Sequence, residues 1–560
     1  MNRPHVRLKP DTYNSGAASM DASSDNQFEY IVVGSGAGGG TLAARLAEAG
    51  RRVLLIEAGG DAHQLAGGDA IDHTTSRLPD DYDVPAFHTL ASENDALSWS
   101  FFVRHHADAA LDRRDPKYVS RADGCEGIFY PRAGTLGGCT AHNAMIFVYP
   151  HNADWDDIAT LTGDASWSAS SMRRYFQSLE SCRHRPVYRW LARLGINPTR
   201  HGWRGWLPVE TTIPLEAFTD RNLRRVVIES ALAAMRQAPN LRQRLRWFLT
   251  GAFDPNDWRL VRENASGIRY LPLTTDGHRR YGTRERVLEV AGRLPDRLTI
   301  WLDTLATRVL LDENRRAYGI EYRKGARLYR AHVKPNGSPG TAGTVRASRE
   351  VILCGGVFNT PQLLMLSGIG PEGELRRHGI EPVQVLERVG KNLQDRYEVA
   401  VVNRLEQPWE MLRGATFTEA DQQYQQWKSS RSGIYATNGI PICVIARSTG
   451  AQPTPDLFCY ALLTDFRGYK PGYSKVVREH QNYLTWVVLK GHTNNTGGEV
   501  TLTSKDPRVR PAIHFKYFEE GTDTAGDDLM AVVKGVSLVR RMTAGLRTSL
   551  GMVEEMPGPD

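Results

Sequence analysis

No run of apolar residues in this chain is long enough to cross a bilayer, and the polar, Ser/Asp-rich start, residues 1–27, lacks the apolar core of a secretory signal. That stretch reads as a disordered tail, within which Met20 offers a second start. Cysteine is scarce and scattered. Cys125, Cys139, Cys182, Cys354, Cys443 and Cys459 form no C-x-x-C pair, so neither a disulfide framework nor any metal site is expected, and a reducing cytoplasm is the simplest home. A large excess of one charge is also missing. The formal net charge of +7 over 560 residues permits an acidic partner without demanding one, and no nucleic-acid-binding motif accompanies it. What is present, 41% hydrophobic and 24% charged residues, is ordinary for a globular enzyme of two or more domains.

The clearest local signal is "FEYIVVGSGAGGGTLAARLAEAGRRVLLIEAGG". An apolar strand runs into Gly34, Gly36 and Gly39 at G-x-G-x-x-G spacing, then an alanine-rich helix, then a second strand ending at Glu57. This is a βαβ unit for a dinucleotide. The glycines give a tight turn, room for a pyrophosphate and close helix packing, helix N-terminal amides face the anion, and Glu57 can accept the hydroxyls of a ribose. The motif alone does not choose between NAD and FAD. Its place near the start of a long chain, with later glycine-rich segments to cover the ligand, fits FAD. One such segment is "VILCGGVFNTPQLLMLSGIGP", a strand ending at Cys354, then Gly355 and Gly356, then a helix expected to start at Thr360 and Pro361.

A third stretch, "LGGCTAHNAMIFVYP", sets Cys139, Thr140, His142 and Asn143 behind Gly137 and Gly138. On the residues alone it reads either as a buried turn whose polar groups satisfy one another or as backbone brought close to a bound group.

With these motifs in order, the chain resembles the glucose-methanol-choline (GMC) flavoprotein oxidoreductases. One family signature is similar to "YPRAGTLGGCTAHNAMIFVYPHNADWDDIA" and another to "GGVFNTPQLLMLSGIG", where Val357 replaces the usual small residue. The stretches "HGWRGWLPVE", "VGKNLQDRYEVAV" and "GGEVTLTSKDPRVRPAIHFKYF" resemble further segments, and Arg396 stands where many members carry histidine. The resemblance implies oxidation of an alcohol, with hydride passing to flavin N5 and a base taking the hydroxyl proton. It implies FAD contacts at Gly34, Gly36, Gly39, Glu57, Gly138, His142, Asn143, Val309, Gly355 and Gly356. Choline oxidases have a similar Gly-Gly-Cys run whose histidine is bonded to FAD, so His142 is either a covalent anchor or a hydrogen-bonding neighbour of a noncovalent flavin. No catalytic residue is assigned. The family's catalytic histidine follows the helix similar to "TAGLRTSL", and these 560 residues end at "GMVEEMPGPD" before such a segment, so a truncated form or a noncatalytic flavin-binding protein are both open.

The expected fold is α/β: a Rossmann-like FAD-binding domain from residues 28–150 and 267–395, and a discontinuous α+β substrate domain on a mainly antiparallel sheet from 151–266 and 396–520. Residues 521–560 are expected to return to the FAD domain. Partners would be a small-molecule alcohol and an electron acceptor such as oxygen, a quinone or another carrier, with no nucleic acid. Between Arg183 and Arg262 fifteen arginines face six carboxylates among several tryptophans, and "LRQRLRWFLTG" could form a basic amphipathic element for peripheral membrane contact, although a solvated arginine face over a packed core is the simpler reading. A light-driven fatty-acid decarboxylase, also found in the family, is a third reading without specific support in the residues.

Overall fold

The computed structural model describes residues 28–65, 77–121, 125–211, 220–236 and 253–558. The expected N-terminal tail and the segment "LRQRLRWFLTG" lie outside them.

FEYIVV forms strand β1 (Phe28–Val33), whose Ile31 and Val32 are wholly buried, as a strand covered on both faces requires. Helix α1 (Ala37–Glu48) follows, burying Gly39, Gly40, Ala43, Ala44 and Ala47 on one side. Strand β2 (Val53–Ile56), buried at every position, closes the unit. β1 pairs in parallel with β2 and with Thr341–Leu353, and β2 in parallel with Leu298–Trp301. The sheet is completed by antiparallel strands Ala317–Lys324 and Thr304–Leu311. The Gly/Pro/Ser-rich stretch joining Ala317–Lys324 to Thr341–Leu353 is therefore a hairpin excursion.

A second six-stranded sheet is antiparallel throughout, in the order Val553–Met556, Glu398–Arg404, Tyr483–Lys490, Leu457–Leu462, Cys443–Ala446 and Gly267–Arg269. Helix Asp527–Ser549 covers it, burying Leu538, Val539, Met542 and Leu546 in one core with Leu457, Trp486 and Val488.

Three expectations are corrected. Residues 527–556 do not return to the parallel sheet: the helix has its apolar face on the antiparallel sheet, and Val553–Met556 adds to that sheet's edge beside Glu398–Arg404. Conversely, Val500, Ile513 and Phe515 pack with Leu305 and Phe358, against the dinucleotide half. The helix behind Gly355 starts at Gly356 rather than at Thr360, so Pro361 falls inside Gly356–Leu366, and the carbonyl its ring leaves without a donor belongs to exposed Val357.

Within the basic stretch, Arg185 pairs with Asp257, Arg259 pairs with Asp257 and lies over Tyr188, and Arg189 bonds the Trp203 carbonyl. Helix Pro186–Arg193 leaves Val187 and Trp190 exposed, with Leu194 just beyond it. No described helix is long and apolar enough to cross a membrane.

The β1–α1 packing has no spare room. A Cβ on Gly39 would stand 1.9 Å from the Gly34 carbonyl oxygen and 2.8 Å from Cys354 Cβ. Gly39→Ala is expected to destabilise the protein by about 2 kcal/mol through overpacking, read as a lower urea midpoint at unchanged slope.

Candidate functional site

Three glycine turns meet at the C-terminal end of the parallel sheet. Gly34 has φ +98° and a Cβ there would lie 2.3 Å from the Cys354 carbonyl oxygen; a Cβ on Gly138, φ +52°, would lie 2.6 Å from Gly36 Cα. Only glycine allows both the left-handed angles and these approaches. The turns enclose a groove of about 350 Å³ lined by Gly34, Gly36, Glu57, Gly138, Gly355 and Gly356. At Gly356 a Cβ would meet nothing within 4 Å, so the space beside it is open.

Glu57 is buried at the end of β2. One carboxylate oxygen accepts the Ser35 N–H at 3.1 Å and the Ser35 hydroxyl, and the other accepts the Gly59 N–H at 3.0 Å. Burial pushes its carboxyl up from the usual carboxylate value, against the lowering effect of these hydrogen bonds. Ser35 Oγ also accepts the Gly137 N–H at 3.0 Å, joining two glycine turns through one hydroxyl.

A wider cavity of about 620 Å³ adjoins the groove, and Arg132 and Cys139 line both. His142 and Asn143 are in its wall. His142 is buried and its Nε2 has no hydrogen-bond partner, while burial, then the positive charge of Arg280, holds its pKa at about 3. His88, also lining the cavity, is held at about 4 by burial and Arg280, with Nε2 3.1 Å from the Asn438 carbonyl. Both rings are neutral at ordinary pH. Arg280 is itself buried behind them, donating to the Tyr82, Thr140 and Asn143 carbonyls and to Asn143 Oδ1 at 2.7–3.2 Å. Also in the cavity lining, burial pushes Glu398 up to about 7 although Tyr460 OH donates to it at 3.2 Å. Tyr130, Tyr469 and Tyr473 extend that lining.

The structure thus brings Gly34, Gly36, Glu57, Gly138, Gly355 and Gly356 to the groove and His142 and Asn143 to the adjoining cavity, while Gly39 sits behind the first turn. Val309 is not brought there. It is buried in Thr304–Leu311 with its N–H bonded to Ser367 Oγ at 2.9 Å, and Thr304, Leu305 and Ala306 line the groove instead. Sequence reasoning passed over Ser35, Arg132, His88, Arg280, Glu398 and Tyr460. Ser35 lies inside the glycine motif, Arg132 inside "YPRAGTLGGCTAHN" and Glu398 inside "VGKNLQDRYEVAV"; the others carry no local signal.

The site fits FAD. An open glycine-lined groove suits an extended dinucleotide, and the cavity beyond it, walled by a buried imidazole nitrogen without a protein partner, suits a ring system.

The neutral histidines make the fold acid-sensitive. In the unfolded chain His142 binds a proton as pH falls below 6.5, whereas in the fold it waits until about 3, so the stability it confers is complete above 6.5 and lost as pH falls toward 3. Denaturant unfolding of the flavin-free protein at pH 7 and pH 5 should show wild type losing about 1 kcal/mol per pH unit more than His142→Gln.

The GMC oxidoreductase family model matches residues 28–398. An oxygen-dependent choline dehydrogenase of Yersinia pseudotuberculosis is 29% identical over 504 residues, covering 89% of this chain and 74% of that protein. One of Rhizobium etli is 26% identical over 517 residues, 89% of this chain and 75% of that protein. Among solved structures, an Aspergillus oryzae RIB40 formate oxidase variant made to study FAD modification superposes with TM-score 0.70 at 22% identity, covering 96% and 84% of the two chains. Pyridoxine 4-oxidase from Mesorbium loti gives 0.66 at 20%, covering 95% and 84%. With more than half its length matched, the chain belongs to the GMC oxidoreductase family and is an FAD-dependent oxidoreductase of CH–OH donors.

Proposed function

We propose that the protein oxidises a small hydroxyl compound held in the 620 Å³ cavity, with FAD laid along the glycine groove and its ring beside His142 and Asn143. The observation that carries this reading is the continuity of groove and cavity through Arg132 and Cys139. FAD, when bound, supplies the redox chemistry by accepting the hydride. The N–H groups at the start of α1 receive the diphosphate, Glu57 accepts the ribose hydroxyls, and Ala306 takes the strand position that the sequence reading gave to Val309. Arg132, at the junction, places positive charge where an alkoxide or a reduced ring needs it. Glu398 takes the hydroxyl proton: at about 7 its carboxyl is poised near neutral pH, and Tyr460 fixes its orientation. The tyrosine wall excludes water around this pair.

Anaerobic mixing with a panel of alcohols, choline among them because the relatives are named for it, is expected to bleach the flavin. Failure of every alcohol would remove this reading. The bleaching rate constant should rise with pH through about 7 in wild type. Glu398→Gln should be about 100-fold slower and lose that rise. Reoxidation of the bleached protein by oxygen or by a quinone then identifies the acceptor.

We further propose that His142 carries the flavin covalently. A neutral imidazole with an unpartnered, buried Nε2 in the cavity wall is the nucleophile such a bond requires. Denatured wild type should retain flavin absorbance and a mass increased by FAD, and His142→Ala should release its flavin on denaturation. Release from wild type would make the cofactor noncovalent.

A further inference from the structure

Strand Glu180–Cys182 alternates so that Glu180 and Cys182 point the same way, and both are wholly buried. It pairs in parallel with Leu207–Thr211, and the connection between them, which runs through helix Pro186–Arg193, brings back His201 in a turn, also wholly buried. One carboxylate oxygen of Glu180, the Cys182 Sγ and one ring nitrogen of His201 lie within 4.8 Å of one another. That is the spacing a single ion draws together, since its bonds to O, N and S run to about 2.0–2.3 Å.

The surroundings complete the pattern. Glu180 lies 3.0 Å from His201 Nδ1 and accepts the Gly202 N–H at 2.7 Å. Buried Asp254 stands 3.3 Å from His201 Nε2, which makes no hydrogen bond of its own, and Asp254 accepts Tyr270 OH at 2.8 Å and meets His184 Nε2 at 3.0 Å. A carboxylate therefore waits at each nitrogen of the His201 ring. Whichever nitrogen takes an ion, the other N–H is held and the tautomer fixed, as at protein metal centres.

We propose that Glu180, Cys182 and His201 bind one divalent cation of the zinc class, in a structural centre separate from the flavin site. Mixed oxygen, nitrogen and sulfur donors select zinc over magnesium or calcium. None of the three residues lines the groove or the cavity. The ion would tie the strand Glu180–Cys182 to the turn bearing His201, with Asp254 and His184 as outer support. The sequence hid the set because one carboxylate, one thiol and one distant imidazole match no cysteine-pair spacing.

The test is metal content by plasma mass spectrometry on the flavin-loaded protein purified without chelators. About one zinc per chain is expected, with Cys182→Ser and His201→Gln each lowering it at least tenfold at unchanged flavin content. Cobalt(II) added to metal-depleted wild type should give a thiolate-to-cobalt charge-transfer band that Cys182→Ser abolishes. Wild-type protein that holds no zinc and takes up neither zinc nor cobalt on titration overturns the proposal and leaves Glu180, His201, Asp254 and His184 as a metal-free ion network. The wild-type measurements stand even if a variant fails to fold.

Discussion

Backbone lies directly on backbone where the three glycine turns converge, and the rest of the site inherits its geometry from that contact. A methyl group on Gly34 would collide with the Cys354 carbonyl, and one on Gly138 would collide with Gly36. Segments far apart in sequence are thus held at a separation that no other residue type permits. The groove is the space these turns leave open, and Ser35 locks the arrangement by donating to Glu57 while accepting from Gly137. His142 follows Gly138 by four residues, so its position at the cavity is set by the same contact.

Arg280 converts that backbone arrangement into an electrostatic one. Its guanidinium is fully buried, and its Nε and Nη1 donate to main-chain carbonyls and Asn143 Oδ1, none of them a carboxylate. A buried cation bonded to no carboxylate opposes protonation of both His88 and His142. The wall is therefore already positive before any histidine titrates. Negative charge developing in the cavity meets Arg280 behind the wall and Arg132 in it, and needs no proton transfer to the histidines for compensation.

The dinucleotide half was legible because its constraints are local. A strand, a glycine spacing, a helix and an acid follow one another in sequence, and the structure brings Gly34, Gly36 and Glu57 to one groove. For Val309 the sequence shows a buried strand residue but not which part of the strand borders the groove: Ala306 of the same strand lines it, and the Val309 N–H bonds Ser367 Oγ. The edge position of Val553–Met556 depends on pairing with a strand about 150 residues away, and no local pattern encodes that. The buried Glu398–Tyr460 pair in the cavity lining was hidden for the same reason. Glu398 is one charged residue among many until Tyr460, from another strand, closes over it.

How Glu398 comes to line the cavity beside the glycine turns depends on Asp395. The chain leaves the core around Phe358 at Leu393 and enters the antiparallel sheet at Glu398, so only a few residues carry it from one half to the other. Asp395 sits in that crossing and accepts Tyr130 OH at 3.1 Å, Tyr517 OH at 2.6 Å and the Arg396 N–H at 2.9 Å. Tyr130 belongs to strand Glu126–Ala133, which leads into the glycine turn at Gly137 and Gly138. Tyr517 follows the strand Ala512–His514, packed against the dinucleotide half. One carboxylate thereby fixes the crossing to both, and its three donors leave it little freedom to move. The first residue of strand Glu398–Arg404 is then held at a set distance from the turn that carries His142, without a direct bond between Glu398 and the histidines.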